Sequence, residues 1–401
     1  VPHVDVPLLS RDLFDMPTDV LWFSHCKDGP LPRASAAAMH ALLGTELRPW
    51  EVRWNEDFLD VQRALREIGA TLLGVDAQDM SLVTCTSTGL EVVALGYPWQ
   101  HGDEVLIPVG EFPSNRLPWL ALASKGVRCT EVALWDGHAA QSPSVPRADI
   151  APEQRLLDAI TPRTRVIAVS WVRYQDSIRL DLEKLGRGCR ARGVHLVVDG
   201  IQGAGTMTTS FEGVSAFATG GHKGLLGLQG QGLLWTDRAF RQQLVPLGTW
   251  LSAPDHFSQG GTQAPSDALW AEDGRRLEAG SPSILSCAAL ASSIRLLVES
   301  GGATALQSHI STLQRALLAK LAEHAAWATE AHRLDALVQA GRIGSTLSFA
   351  IPDDRCARLL RSAEARGISI STREGYLRIA IHGWHAAGDI ERCAEWMLSE
   401  H

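Results

Sequence analysis

The chain alternates between short apolar, β-branched runs and longer segments with helical spacing. Thr164–Val172 reads TRVIAVSWV, a mostly apolar, β-branched run, which predicts a buried strand. Asp181–Gly193 (DLEKLGRGCRARG) has the spacing of a helix that opens on an Asp and stops at Gly193. Val194–Asp199 (VHLVVD) returns to a strand pattern. The same rhythm occurs earlier, as MSLVTC, then GLEVVALGYPW, then DEVLIPV. Strand–helix–strand repetition predicts an α/β fold, with a mainly parallel sheet covered by helices. Ligands of such sheets bind beyond the carboxyl ends of the strands, and Asp199 stands at one such end.

The texture changes after about Thr249. LSAPDHFSQGGTQAPSD is polar and rich in Gly and Pro, which predicts a loop, and HAAQSPSVPRAD reads the same way. Past Ser283, ILSCAALASSIRLLVES and LQSHISTLQRALLAKLAEHAAWATEA have helical period, and STLSFAIP and GYLRIAIH are strand-like. The expected organisation is a large α/β domain over residues 21–270 and a smaller α+β domain over 271–401. Residues 1–20 form an expected arm against the smaller domain.

Composition narrows the partners. The 401 residues are 45% hydrophobic and 20% charged, the profile of a globular protein with a large core. Net charge is −8 with no Lys/Arg block, so no nucleic-acid partner is expected. No apolar run reaches the length of a membrane span, and VPHVDVPLLSRDLFD predicts no signal peptide. Seven cysteines (Cys26, Cys85, Cys129, Cys189, Cys287, Cys356, Cys393) stand singly without a C-x-x-C. That pattern excludes a zinc ribbon or thioredoxin motif and fits a reducing cytoplasm. His382 and His385 form an H-x-x-H pair, but no third ligand is evident and no metal is expected.

One stretch, Val197–Trp235, points to chemistry. It places Asp199 at the end of an apolar strand and Lys223 among glycines further on. Lysine is rarely buried unless it is paired or reactive, and burial favours its neutral amine. A neutral amine forms Schiff bases with carbonyl compounds. The P-loop pattern fails, because Gly224 follows Lys223. CTSTGLEVVA ends a strand on small hydroxyl residues and opens a helix. From these residues alone it is either a phosphate cup or an ordinary N-cap.

Together, VDGIQ, GGHKG and GQG resemble the class V aminotransferase group of pyridoxal 5′-phosphate (PLP) enzymes. Cysteine desulfurases, selenocysteine lyases and isopenicillin N epimerase-like proteins belong to it. The resemblance implies PLP fold type I and PLP as cofactor. It places Asp199 at the pyridine nitrogen, Gln202 at the ring oxygen and Lys223 as the Schiff-base lysine. Thr86, Ser87 and Thr88 become the phosphate cup, with His222 beside it. Gly220 stands where many relatives have Ser, so one phosphate contact is missing or supplied by His222.

In GEFPSNRLPW, Phe112 replaces the histidine that stacks on the ring in desulfurases. A phenyl face stacks but carries no proton, which leaves Lys223 as the acid–base group. EAGSPS implies that Ser281 reaches the phosphate of a neighbouring subunit in a homodimer with shared sites. In STREGYLRIAIHGWH, Arg378 is expected to grip a substrate carboxylate, with Arg373 as second candidate. Arg173, Tyr174 and Gln175 are expected to face an amino-acid-type substrate.

Desulfurases carry a cysteine on the loop before that arginine. STREG has none, and Cys356, the nearest upstream, lies in a helical pattern. The expected reaction is β-elimination from a cysteine S-conjugate, a C–S lyase reaction, in specialised metabolism of the antibiotic type. Transamination, epimerisation, decarboxylating or oxidative deamination, and a binding module without turnover are the alternatives.

Overall fold

The computed structural model describes residues 5–138, 146–253 and 270–400. The strands in chain order are β1 (Leu21–Trp22), β2 (Met80–Val83), β3 (Glu104–Pro108), β4 (Arg128–Val132), β5 (Thr164–Ser170) and β6 (His195–Asp199). They continue as β7 (Val214–Gly220), β8 (Gly232–Thr236), β9 (Thr346–Ala350), β10 (Ile368–Ser369), β11 (Ser371–Arg373) and β12 (Tyr376–Ala380).

Seven strands form the central sheet in the order β2-β8-β7-β6-β5-β3-β4. From β4 to β7 every pair is parallel. Val166, Ile167, Val197, Val198 and Phe217 are all buried, as expected of strands covered on both faces. Only β8 runs antiparallel to both its neighbours, β7 and β2. That reversal has a local cause: residues 221–231 join β7 to β8 directly, and a parallel pair would need a long crossover. The short return holds Lys223 close above the strand ends.

The second half follows the helical and strand patterns, except that the helical run 306–331 is broken by a turn over residues 323–327. Helices Ile284–Glu299, Gly302–Ala322 and Ala328–Gln339 precede an antiparallel sheet in the order β11-β12-β9. The N-terminal segment packs onto this part: Leu9 N–H donates to the Gly383 carbonyl at 2.8 Å, and β1 pairs in parallel with β10. The chain then turns through Ser24–Gly29 towards the lysine loop. No single helix among the described residues is long and apolar enough to cross a membrane. Most of the two Gly/Pro-rich stretches, residues 139–145 and 254–269, lies outside the described residues.

Candidate active site

A cavity of about 160 Å³ opens at the carboxyl ends of the central strands. Its lining includes Thr86, Ser87, Phe112, Tyr174, Asp199, Gln202, His222 and Lys223, all singled out from sequence. Cys85, Ser114, Ser170, Val172 and Ile201 complete it.

Asp199 ends β6 and is 3% exposed. Its Oδ1 accepts from the Ile201 N–H at 3.0 Å. Burial raises its pKa to about 7, with nearby Glu111 adding to the rise; the Ile201 N–H and Lys223 oppose it. A near-ordinary carboxylate would titrate near 4. Between those values the folded protein binds more proton than the unfolded chain, so this group's contribution to stability is lost as pH rises through the window. In the cofactor-free protein, the melting temperature of Asp199→Asn relative to wild type is therefore expected to rise from about pH 4 to about pH 7 and then level off. A difference that stays constant with pH would refute the shift.

Lys223 sits on the loop after β7, and its pKa is lowered by burial, with Asp199 and Cys26 pulling it up and Arg378 pushing it down. Its backbone is gripped on several sides. Gly29 N–H donates to the His222 carbonyl at 2.7 Å, Gly221 N–H to Gln231, and Gly227 N–H to Gly221, each at 2.8 Å. His382 Nε2 meets the Gly224 carbonyl at 3.1 Å. A Cβ on Gly224 would stand 2.4 Å from the Ala204 carbonyl oxygen, and one on Gly29 2.4 Å from that of Lys223. Gly224→Ala is therefore expected to cost about 1–3 kcal/mol and to loosen the loop. Denaturant midpoints of the cofactor-free variant check this; a change below about 0.5 kcal/mol would contradict the close packing.

The H-x-x-H pair serves this packing. His382 Nδ1 accepts from Gly383 N–H at 2.8 Å, so Nε2 carries the proton donated to Gly224. His385 Nδ1 accepts from His382 N–H at 3.0 Å, and Nε2 donates to the Trp22 carbonyl at 3.1 Å. Burial holds their pKa values down, to about 4 and about 3. Among the described residues no group of His, Cys, Asp and Glu is placed to hold a metal ion.

At the other end of the cavity, helix Thr86–Gly96 begins with Cys85 as its N-cap. The helix starts earlier than the sequence pattern predicts and takes the three hydroxyl residues into its first turn. Thr86 Oγ1 accepts from Gly220 N–H at 2.8 Å, and the Ser87 hydroxyl donates to Ser114 Oγ at 2.7 Å. Thr88 turns away from the cavity to Thr84, hydroxyl to hydroxyl at 2.8 Å. Burial alone would raise the Cys85 thiol, but hydrogen bonds from Thr88 and from the Thr88 and Ser87 N–H groups outweigh it, and its pKa is lowered. These N–H groups already stabilise negative charge where the sequence places a phosphate.

The remaining sequence candidates separate clearly. Gln202 lines the cavity, and its Nε2 donates to the Cys26 carbonyl at 3.1 Å. Phe112 packs edge-on to Tyr174 with ring centroids 5.2 Å apart. The Tyr174 hydroxyl donates to Glu374 Oε1 at 2.6 Å. Arg378 is buried off the cavity lining but within electrostatic reach of Lys223: its Nε donates to Ser371 Oγ at 3.1 Å and its NH1 to the Tyr174 carbonyl at 2.6 Å. Arg373 is exposed because it closes β11 at the hairpin tip, opposite Tyr376.

Arg173 and Gln175 do not face the cavity. Arg173 is buried beneath it, paired with Asp176 at 3.0 Å and lying over the Trp135 ring. Gln175 is buried with its Nε2 on the Gly110 carbonyl. Ser281 is exposed and lines no part of this chain's cavity. Cys356 is buried in helix Asp353–Glu364, where burial pushes its pKa to about 11.

Sequence reading missed Cys26, whose position depends on the N-terminal crossing. Its Sγ lies 3.5 Å from Ser371 Oγ, the partner of Arg378. Glu111 and Ser170 were missed too; the neighbouring Phe112 and Arg173 drew attention instead.

An amine and a carboxylate facing one cavity, an aromatic ring on its wall and a helix N-terminus at its end together define a cofactor cradle of the PLP type. The chain belongs to the Aminotransferase class-V family, whose profile matches residues 53–378. Members of this family are PLP-dependent enzymes.

A probable cysteine desulfurase of Aeropyrum pernix is 30% identical over 241 residues, which is 59% of this chain and 55% of that protein. The chain spans about half the length of the first curated relatives it matches. Among solved structures, the C-DES protein with glycine covalently linked to its PLP cofactor superposes with a TM-score of 0.81 at 21% identity, covering 98% of this chain and all of the other. The complex of the cystine C–S lyase C-DES with its product cysteine persulfide gives 0.77 at 20% identity, covering 94% and 97%. These likenesses establish the fold as that of the class V aminotransferases, PLP fold type I.

Proposed function

We propose that the protein is a PLP-dependent enzyme that cleaves the C–S bond of a cysteine-derived amino acid by β-elimination. The observation that carries the reading is the shared cavity of Lys223 and Asp199, with Arg378 buried beside it and no cysteine on the β11–β12 hairpin.

The residues fit PLP by their donor set. Asp199 would hold the ring nitrogen, Gln202 the ring oxygen, Phe112 a ring face, and the N-terminus of Thr86–Gly96 with Ser87 the phosphate. When bound, PLP supplies an electron sink at the substrate's Cα. The chain's residues do the rest. Lys223 would hold the cofactor and move the Cα proton, tasks suited to an amine whose pKa is lowered. Arg378 binds the substrate carboxylate with a guanidinium already fixed by Ser371 and Tyr174, which orients the bond to be broken. Phe112 and Tyr174 wall the cavity; the phenyl ring has no proton to give, and the Tyr174 hydroxyl, its pKa raised by burial, stays protonated and donates to Glu374.

Elimination would release a thiol or persulfide, ammonia and a keto acid without an amino-group acceptor. Incubating the holoenzyme with cysteine, cystine and S-conjugates and weighing the products tests this. A strict need for a second keto acid would replace the lyase reading by a transaminase one.

A second reading, transfer of sulfur to a protein thiol, has one observation in its favour: the Cys26 Sγ lies 3.5 Å from Ser371 Oγ, the hydrogen-bond partner of Arg378. Under the lyase reading, Cys26→Ala is expected to keep turnover within a few-fold of wild type. Loss of turnover with PLP content and melting temperature intact would establish the sulfur-transfer reading instead.

The surface supports a homodimer as part of this proposal. Leu47 (70%), Trp50 (78%) and Trp54 (42%) are exposed, and Trp54 stacks on Phe58, which stacks in turn on Trp250. An apolar patch of this kind suits a subunit interface, and exposed Ser281 is then free to serve a neighbour's phosphate site. Sedimentation as a fully active monomer would rule this out.

A further inference from the structure

The loop after β3 carries a carboxylate that the proposed chemistry leaves unused. Glu111 is buried directly before Phe112. Its Oε1 accepts from the Ser170 N–H at 2.8 Å, and its Oε2 accepts from the Ser170 hydroxyl and from Asn115 Nδ2 at 3.2 Å. Asn115 is fixed in turn, because its Oδ1 accepts from Trp119 Nε1 at 3.1 Å. The run E-F-P-S-N-R-L-P-W therefore folds into one hydrogen-bonded unit, Glu111–Asn115–Trp119.

The far end of that unit reaches the cavity. Ser170 ends β5, lines the cavity, and is the register partner of Asp199 on β6. The Trp171 N–H donates to the Asp199 carbonyl at 2.9 Å, which locks the two strand ends together. Two buried carboxylates, Glu111 and Asp199, are thus linked through one serine.

The charges around them are unequal. Arg173 faces Glu111 from the loop after β5, but it is ion-paired with Asp176, and it also meets His138 and Tyr376. Lys223 faces Asp199 from the loop after β7, with His222, Asp28, Cys26 and Arg378 around it. Arg378 is reserved for a substrate carboxylate in the proposed function. Among the described residues, Glu111 and Asp199 then share Lys223 and an Arg173 already committed to Asp176. Burial pushes the pKa of both carboxyl groups up, and the charge of Glu111 pushes Asp199 further in the same direction.

We propose that Glu111 is a positioning residue for the cofactor: it holds Ser170 in place and adds a second negative charge behind Asp199, so that the PLP ring nitrogen stays protonated. This rests on the PLP reading above. A proton on the ring nitrogen adds positive charge there, and Glu111 makes its removal harder than Asp199 alone would.

The test uses holoenzyme loaded with PLP labelled with ¹⁵N in the ring, its nitrogen shift followed against pH. In wild type the resonance is expected to stay at the protonated position over the whole range in which the protein is folded. In Glu111→Gln the nitrogen is expected to deprotonate at a pH lower by about one unit or more, with weaker PLP binding. Ser170→Ala keeps the charge, and is expected to weaken PLP binding while the nitrogen titrates as in wild type.

A folded Glu111→Gln holoenzyme whose nitrogen titrates as in wild type overturns the inference alone. So does a wild-type nitrogen that deprotonates within the folded range, a result that needs no variant. A wild-type protein that takes up no PLP overturns the parent reading, and this inference with it.

Discussion

Replacement of Lys223 by alanine is expected to abolish the visible colour of the purified protein and to lower turnover by at least about 10³-fold, the scale of a lost acid–base group. The argument runs through the loop. Burial lowers the lysine pKa, so its amine is available as a nucleophile near neutral pH. Hydrogen bonds at the His222 and Gly224 carbonyls hold its backbone in place. Borohydride reduction of the wild-type holoenzyme, followed by peptide mapping, should tag Lys223. A tag on Lys125 or Lys184 would refute the assignment.

Asp199→Asn is expected to bind PLP yet lose about 10²–10³-fold in turnover, the usual cost of removing one preorganised electrostatic contact. Asparagine keeps the shape and can still accept from the Ile201 N–H, but it cannot hold a proton on the ring nitrogen. The colour should therefore survive while the rate falls, the reverse of a simple loss of cofactor. Single-turnover rates at saturating PLP separate the two. Turnover within a few-fold of wild type would mean that another group supports the ring nitrogen.

Much of this site could be read from the chain because its parts lie at strand ends with local signatures. Asp199 follows three apolar residues and precedes a glycine, and Lys223 stands in a glycine-rich return; both patterns are short-range. The antiparallel β8 was less visible, since its sequence is as apolar as that of its parallel neighbours. Arg173 shows where local reading failed. An arginine beside a tyrosine in a loop after a strand suggests substrate contact, but Asp176 three residues later captures it below the cavity floor. Cys26 lay beyond local reading, because the N-terminal segment reaches Lys223 only after pairing with strand Ile368–Ser369 at the far end of the chain. Hydrophobic periodicity carries no information about such long-range crossings.

The grip on the lysine loop also bears on the order of assembly. The hydrogen bonds at Gly29, Gly221 and Gly227, and that of His382 to Gly224, all use the chain's own atoms. The loop can therefore reach its working geometry before any cofactor arrives, and loading becomes a separate, bimolecular last step. In the apoprotein, amide hydrogens at Gly29, Gly221 and Gly227 should exchange with solvent as slowly as those of the central strands. Stripped protein should regain colour at a rate proportional to PLP concentration, without passing through a refolding phase.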